Sequence, residues 1–202
     1  MSTPPPAGRA ARRKHEVRQR ILAAAHELFE ARGYTATTVA DICEQADVAY
    51  KTLFNHFESK QAVLDEIEAM ALAELLAHLD AAYHQSGSTR ERLKFLFERI
   101  AHSALSAGPM HPELLTELIH SVHSRGDEPE QVRRVSDGFA AIITRGLEAG
   151  DVTTASPPET LTELIQGAYY VLMFSFGNLE GYPLRERAAD LADLLGDSVS
   201  PH

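Results

Sequence analysis

The run TTVADICEQADVAYKTLFNHF, Thr37–Phe57, decides the fold. Val39, Ile42, Cys43 and Ala46 recur at the spacing of one helical face. Thr38 stands where an N-cap is wanted, with Asp41 three residues on as in a capping box. Asp47 ends this first helix, and a second is expected from Ala49 to Phe57. Two short helices joined by about three residues outline a helix-turn-helix.

In the second helix the helical period sorts the side chains. Leu53 and Phe57 share an inward face, while Tyr50, Lys51 and Asn55 are left outward, with Thr52 and Phe54 nearer the margin. Such a face mixes donors and acceptors for base edges with flat or methyl-bearing groups for thymine, as a helix in the major groove requires. His56 and Lys60 follow near the start of the next helix, where phosphate contacts are natural. An ordinary helical corner with a mixed face has the same outline, so spacing alone leaves the function open.

Outward from this run the chain reads as helical throughout, with about nine helices expected. Val17, Ile21, Ala24, Ala25 and Leu28 form the face of a first helix that Gly33 stops. A fourth begins near Ser59 and carries Leu64, Ile67, Ala71, Leu75 and Leu79 as its stripe, to about Tyr83. Ser88 or Thr89 caps a fifth. A sixth opens near Pro112 and ends near Arg125-Gly126, and a seventh runs from about Pro129 to Ala149. Ser156-Pro157 starts an eighth and "GYP" leads into a ninth carrying Leu184, Ala188, Leu191 and Leu195. The eighth is apolar around most of its circumference, so it asks for a second covering surface, which a partner subunit would supply. Paired with the ninth, it is the expected homodimer interface. Leu164–Leu179 is the least charged stretch, but its sixteen residues fall short of the roughly twenty that a membrane span needs.

Charge divides the chain. Residues 1–60 carry nine Lys/Arg against seven Asp/Glu, whereas 61–202 carry ten against twenty-two, giving a net charge of −10. A basic end on an acidic body places any polyanion at the N-terminal end. The expected organisation is therefore a disordered basic arm (1–12), a helix-turn-helix domain (13–60) and a helical ligand-binding and dimerisation domain (61–200). Arg12, Arg13 and Lys14 would follow a DNA backbone or minor groove. One cysteine excludes an intramolecular disulfide framework, and no signal peptide is read at the N-terminus, so a cytoplasmic location is expected.

The stretch RQRILAAAHELFEARGYTATTVADICEQADVAYKTLFNHFESKQAVL, Arg18–Leu64, resembles the DNA-binding domain of TetR-family transcriptional repressors without a gap. The likeness runs through "ILxAAxxLFxxxGY", "TTVxDI" and "TLFxHFxSK". It implies an all-α fold and a homodimeric repressor that a small effector releases from a palindromic operator in double-stranded DNA. It also implies that Thr38 binds a phosphate, that Ala49, Tyr50, Lys51 and Thr52 face the groove, that Asn55 reads a base edge or anchors a phosphate, and that His56 and Lys60 clamp the backbone. Three positions depart from the family pattern: Asp47 for glycine, Ala49 for serine, and Phe54 for a tyrosine whose hydroxyl would meet a phosphate.

Beyond this domain the likeness is one of layout. An effector pocket is expected among Phe95, Leu96, His102, Met110, Leu114, Leu118, Phe139, Ile143, Tyr169, Tyr170 and Met173, whose composition suits a small apolar or amphipathic molecule. His102, His111, His120 and His123 lie in one region and raise the question of a metal, but rim or surface histidines account for them, and no cofactor is expected. No phosphate-cradling glycine loop, nucleophile elbow or HExxH pair occurs, so no enzyme is read. The competing reading is a ligand- or metal-binding helical protein that keeps its helix-turn-helix only structurally or for non-specific DNA binding.

Overall fold

The computed structural model describes residues 7–107 and 130–201 and divides into two compact units, Met1–Met70 and Ala71–His202. Among the described residues there are eight helices and no strands: α1 (Ala7–Arg32), α2 (Val39–Gln45), α3 (Tyr50–Phe54), α4 (Lys60–His84), α5 (Thr89–Ala107), α6 (Glu130–Ala149), α7 (Pro158–Asn178) and α8 (Leu184–Val199). The all-α expectation holds, with one helix fewer than the nine expected. The expected sixth lies over 108–129, outside the described residues.

In the first unit, α1, α2, α3 and the first turns of α4 close on Ile21, Ala25, Phe29, Ile42, Leu53, Phe57 and Leu64, all buried. The lone Cys43 is buried in the same core, and its burial pushes the thiol pKa up, which suits packing rather than nucleophilic chemistry. α1 starts at Ala7, inside the stretch expected as an unstructured arm, because alanine and arginine are strong helix formers. It ends at Gly33, whose φ of +83° is left-handed and whose N–H donates to Phe29 O at 2.9 Å.

α2 opens on the expected capping box. The Thr38 N–H donates to Asp41 Oδ2 at 2.7 Å, and the Asp41 N–H donates to Thr38 Oγ1 at 3.2 Å. The Thr38 hydroxyl and backbone bonds, with Arg32 at 2.8 Å, hold the Asp41 carboxyl below its usual pKa. α2 closes through Asp47 in the left-handed region at φ 50°. The Val48 N–H donates to Cys43 O at 3.0 Å and the Asp47 N–H to Glu44 O at 3.2 Å, the two bonds of a Schellman cap. A glycine would fill this place without strain, and aspartate tolerates it better than most residues.

α3 is shorter than expected, because Asn55 caps it and a tight turn carries the chain through His56 to the buried Phe57. Ser59 then starts α4, its hydroxyl oxygen accepting from the Ala62 N–H at 3.1 Å.

In the second unit, the remainder of α4 with α5, α6, α7 and α8 surrounds Leu79, Leu93, Phe97, Phe139, Ile142, Ile165, Tyr169 and Leu195. Ser88 and Glu91 cap α5, and the buried Thr89 takes Asp151 Oδ2 on its N–H at 3.1 Å. Gly146 passes so close to Thr89 Oγ1 and Val152 that a Cβ there would overlap both. α7 buries Leu161, Ile165, Tyr169, Leu172 and Met173 on one side, yet its other side leaves Val171 67% and Phe174 54% exposed, with Leu164 also outward. Among the described residues, no helix is long and apolar enough to cross a membrane.

Candidate nucleic-acid interface and effector cleft

The exposed side of α3 is held in place by what lies beneath it. Leu53 and Phe57 are buried, which fixes the rotation of the helix and turns Tyr50, Lys51 and Asn55 outward, with Thr52 half-buried beside them. Phe54 is 48% exposed and its ring lies 6.2 Å from that of Tyr50, so the two aromatics form one apolar edge of the face. Ala49 occupies the N-cap of α3 with no side-chain hydrogen bond, as its substitution for serine implies.

Two lysines that look alike in sequence differ in place. Lys51 is exposed on α3. Lys60 turns inward: its ammonium donates to Tyr34 O at 2.7 Å and Thr37 O at 2.8 Å, and sits 4.0 Å from the centre of the Tyr34 ring. It therefore ties the α1–α2 loop to the start of α4. The buried Thr37 secures the same loop through Leu28 O and Gly33 O.

Sequence reasoning also missed Arg18. Its guanidinium grips both carboxylate oxygens of Glu66, donates to His56 O at 2.7 Å, and lies 4.2 Å from the centre of the Phe57 ring. One side chain thus joins α1, the turn after α3, and α4. A dense basic run masks such a role, since Arg12, Arg13 and Lys14 beside it are exposed. His56 is half-buried and its Nδ1 has no partner among the described residues. Burial first, then the charges of Lys14 and Arg18, hold its pKa below the usual histidine value.

The expected effector pocket separates into two groups. Phe139, Ile143, Tyr169, Tyr170 and Met173 are buried in the core of the second unit. There Gln166 bonds Ser136 and the Tyr170 hydroxyl, and burial pushes the Tyr170 pKa up to about 12. Phe95 and His102 instead line a cleft of about 510 Å³ between α4 and α5, together with Glu74, His78, Glu98, Arg99, Ser103 and Ser106. Met110, Leu114, Leu118, His111, His120 and His123 lie outside the described residues. Among the described residues, no group of three His, Cys, Asp or Glu side chains is placed to hold a metal ion. Most of the residues lining the cleft are polar or charged, with Phe95 as its aromatic member. Its one sequence signal is His78, a histidine between Leu75 and Leu79 in the apolar stripe of α4.

Comparison with known proteins places this geometry. Residues 21–67 match the family described as bacterial regulatory proteins, tetR family. The HTH-type transcriptional repressor KstR of Mycolicibacterium smegmatis is 29% identical over 69% of this chain and 67% of its own. Two solved structures share the fold. PfmR, a TetR family transcriptional regulator from Thermus thermophilus, has a TM-score of 0.67 at 24% identity, covering 88% of this chain and 97% of its own. The transcriptional regulator FadR from Bacillus subtilis, in complex with stearoyl-CoA, has a TM-score of 0.65 at 19% identity, covering 90% and 98%. The family match falls on the same helix-turn-helix whose outward face carries Tyr50, Lys51 and Asn55, so residues 21–67 are a helix-turn-helix of the tetR family.

Proposed function

We propose that the chain acts as a homodimeric repressor whose two α3 helices read successive major grooves of a near-palindromic operator, about 34–36 Å apart. The observation that carries this reading is the rigid outward face of α3, with Tyr50, Lys51 and Asn55 exposed over buried Leu53 and Phe57. Lys51 and Asn55 supply hydrogen bonds to base edges. Ala49, Thr52, Tyr50 and Phe54 supply apolar contact, with the Tyr50 hydroxyl as a further donor. Arg12, Arg13 and Lys14 are exposed on α1 and track the phosphate backbone, joined by His56. Thr38 faces the backbone at the start of α2 while its hydroxyl stays within the capping box, and Lys60 acts by holding the loop that positions α2.

Dimerisation through α7 and α8 is supported by Leu164, Val171 and Phe174, which line up outward on α7, and by exposed Leu194 on α8. Gly167 lies on the same stripe with open space over its Cα, which lets a second helix approach closely. A small effector bound in the second unit favours a dimer geometry in which the two α3 helices no longer match the groove spacing. Its leverage is its differential affinity for the two geometries. Selection of bound fragments from a genomic library tests the reading. Recovery of one inverted-repeat motif supports it, and salt-sensitive binding without sequence preference overturns it.

A further inference from the structure

The cleft between α4 and α5 contains a group that the rest of the fold leaves unanswered. His78 is 6% exposed, and neither ring nitrogen has a hydrogen-bond partner among the described residues. A buried donor or acceptor left unmade is destabilising, and the imidazole carries one of each. The nearest carboxylate does not resolve this. Glu74 Oε1 stands 3.9 Å from His78 Nε2, too far for a hydrogen bond, and the same oxygen accepts from the Ser103 hydroxyl.

The charges around the ring narrow what can meet it. Burial and the guanidinium of Arg99 disfavour protonation of His78 more than Glu74 favours it, so the imidazole is neutral at pH 7. It therefore offers an N–H and a lone pair. Glu74 and Glu98 oppose Arg99 across the cleft, so no single charge dominates it, and the burial around His78 penalises a charged head of either sign. Phe95, with Arg99 5.5 Å from its ring centre, supplies an apolar wall. The volume of about 510 Å³ lies in the ordinary range for small-molecule sites.

We propose that this cleft binds the effector through an uncharged head group that both donates and accepts a hydrogen bond, an alcohol, phenol or primary amide. That head is hydrogen-bonded to one ring nitrogen of His78, with its apolar body along Phe95. The inference deepens the effector-released repressor reading and rests on it only for the consequence at DNA, because binding is measured on the chain alone.

The test uses three probes that share a ring and differ in the head: benzyl alcohol, benzoate and benzylammonium. Titrated into the full-length chain labelled with ¹⁵N-histidine, benzyl alcohol is expected to move the His78 ring nitrogens saturably and to bind more tightly than either charged probe. His78→Phe is expected to weaken it about tenfold, as loss of a hydrogen-bonded head should, and His78→Gln to restore most of the affinity. The proposal is overturned if benzoate or benzylammonium binds more tightly, if no probe saturates, or if His78→Phe leaves binding unchanged. The ranking on the wild-type chain decides the matter even if His78→Phe does not fold. Operator binding, measured separately, keeps the two readings distinct: a failed ranking leaves operator recognition standing, and an absent operator leaves the ranking standing.

Discussion

Arg18 Nη1 donates to the main-chain carbonyl of His56 at 2.7 Å, fastening the first helix to the turn that follows α3. The remaining edge of the guanidinium grips Glu66, so a single planar fork sets the end of α3 against both α1 and α4. A lysine would keep the charge but not the fork. Arg18→Lys is therefore expected to destabilise the first unit by about 1–3 kcal/mol, the range for losing charge-assisted hydrogen bonds. Thermal unfolding followed by circular dichroism should show a lower midpoint. An unchanged midpoint would mean that the three contacts contribute nothing.

Asp47 holds the corner between α2 and α3 in a conformation that an L-residue adopts only at some expense. Glycine removes that strain without touching the two cap hydrogen bonds, which are made by main-chain atoms. Asp47→Gly is expected to raise the urea midpoint, by a stabilisation of about 1 kcal/mol, and Asp47→Ala to lower it. The opposite order would contradict the left-handed assignment.

These local devices were legible in sequence because each depends on residues close together in the chain. Thr38 with Asp41 announced the cap, Asp47 the corner, and the spacing of Leu53 and Phe57 the inward side of α3. Arg18, Lys60 and the α4–α5 cleft were not legible, and the reason is physical. Arg18 and Glu66 lie 48 positions apart, and Lys60 lies 26 from Tyr34. Their meeting depends on how α1 and α4 pack, which no local pattern encodes. The residues expected to line a pocket divided because aromatic and sulfur side chains serve a core as readily as a pocket. Phe139, Tyr169 and Met173 turned out to fill the core, whereas the cleft is built largely from Glu, His, Arg and Ser residues that in sequence resemble solvated helix faces.

His56 makes the apo chain sensitive to acid. Burial, Lys14 and Arg18 depress its folded pKa, so the unfolded chain binds the proton more readily than the folded one. The stability tied to the neutral ring is then fully present above the unfolded value of about 6.5. It is lost as pH falls from there toward the folded pKa. His56→Gln cannot titrate, so its unfolding midpoint is expected to fall less than wild type between pH 7 and pH 5. Parallel pH profiles for the two chains would remove His56 from this linkage.

The recognition face itself is tested by changing what is exposed and leaving what is buried. Tyr50 is 52% exposed and Lys51 is exposed beside it, while Leu53 beneath carries the packing. Tyr50→Ala with Lys51→Ala should therefore leave the thermal midpoint nearly unchanged while weakening operator binding. Two lost groove contacts correspond to roughly tenfold or more, at about 1–3 kcal/mol for each good base contact. Salt dependence separates their roles. If Lys51 reads a base, Lys51→Ala relaxes preference at one operator position and leaves the salt slope nearly as it was. If it meets a phosphate, the slope falls by about one and all sequences weaken alike. Unchanged affinity in the double variant would take α3 out of the groove, and with it the assignment of Tyr50 and Lys51 as the reading face.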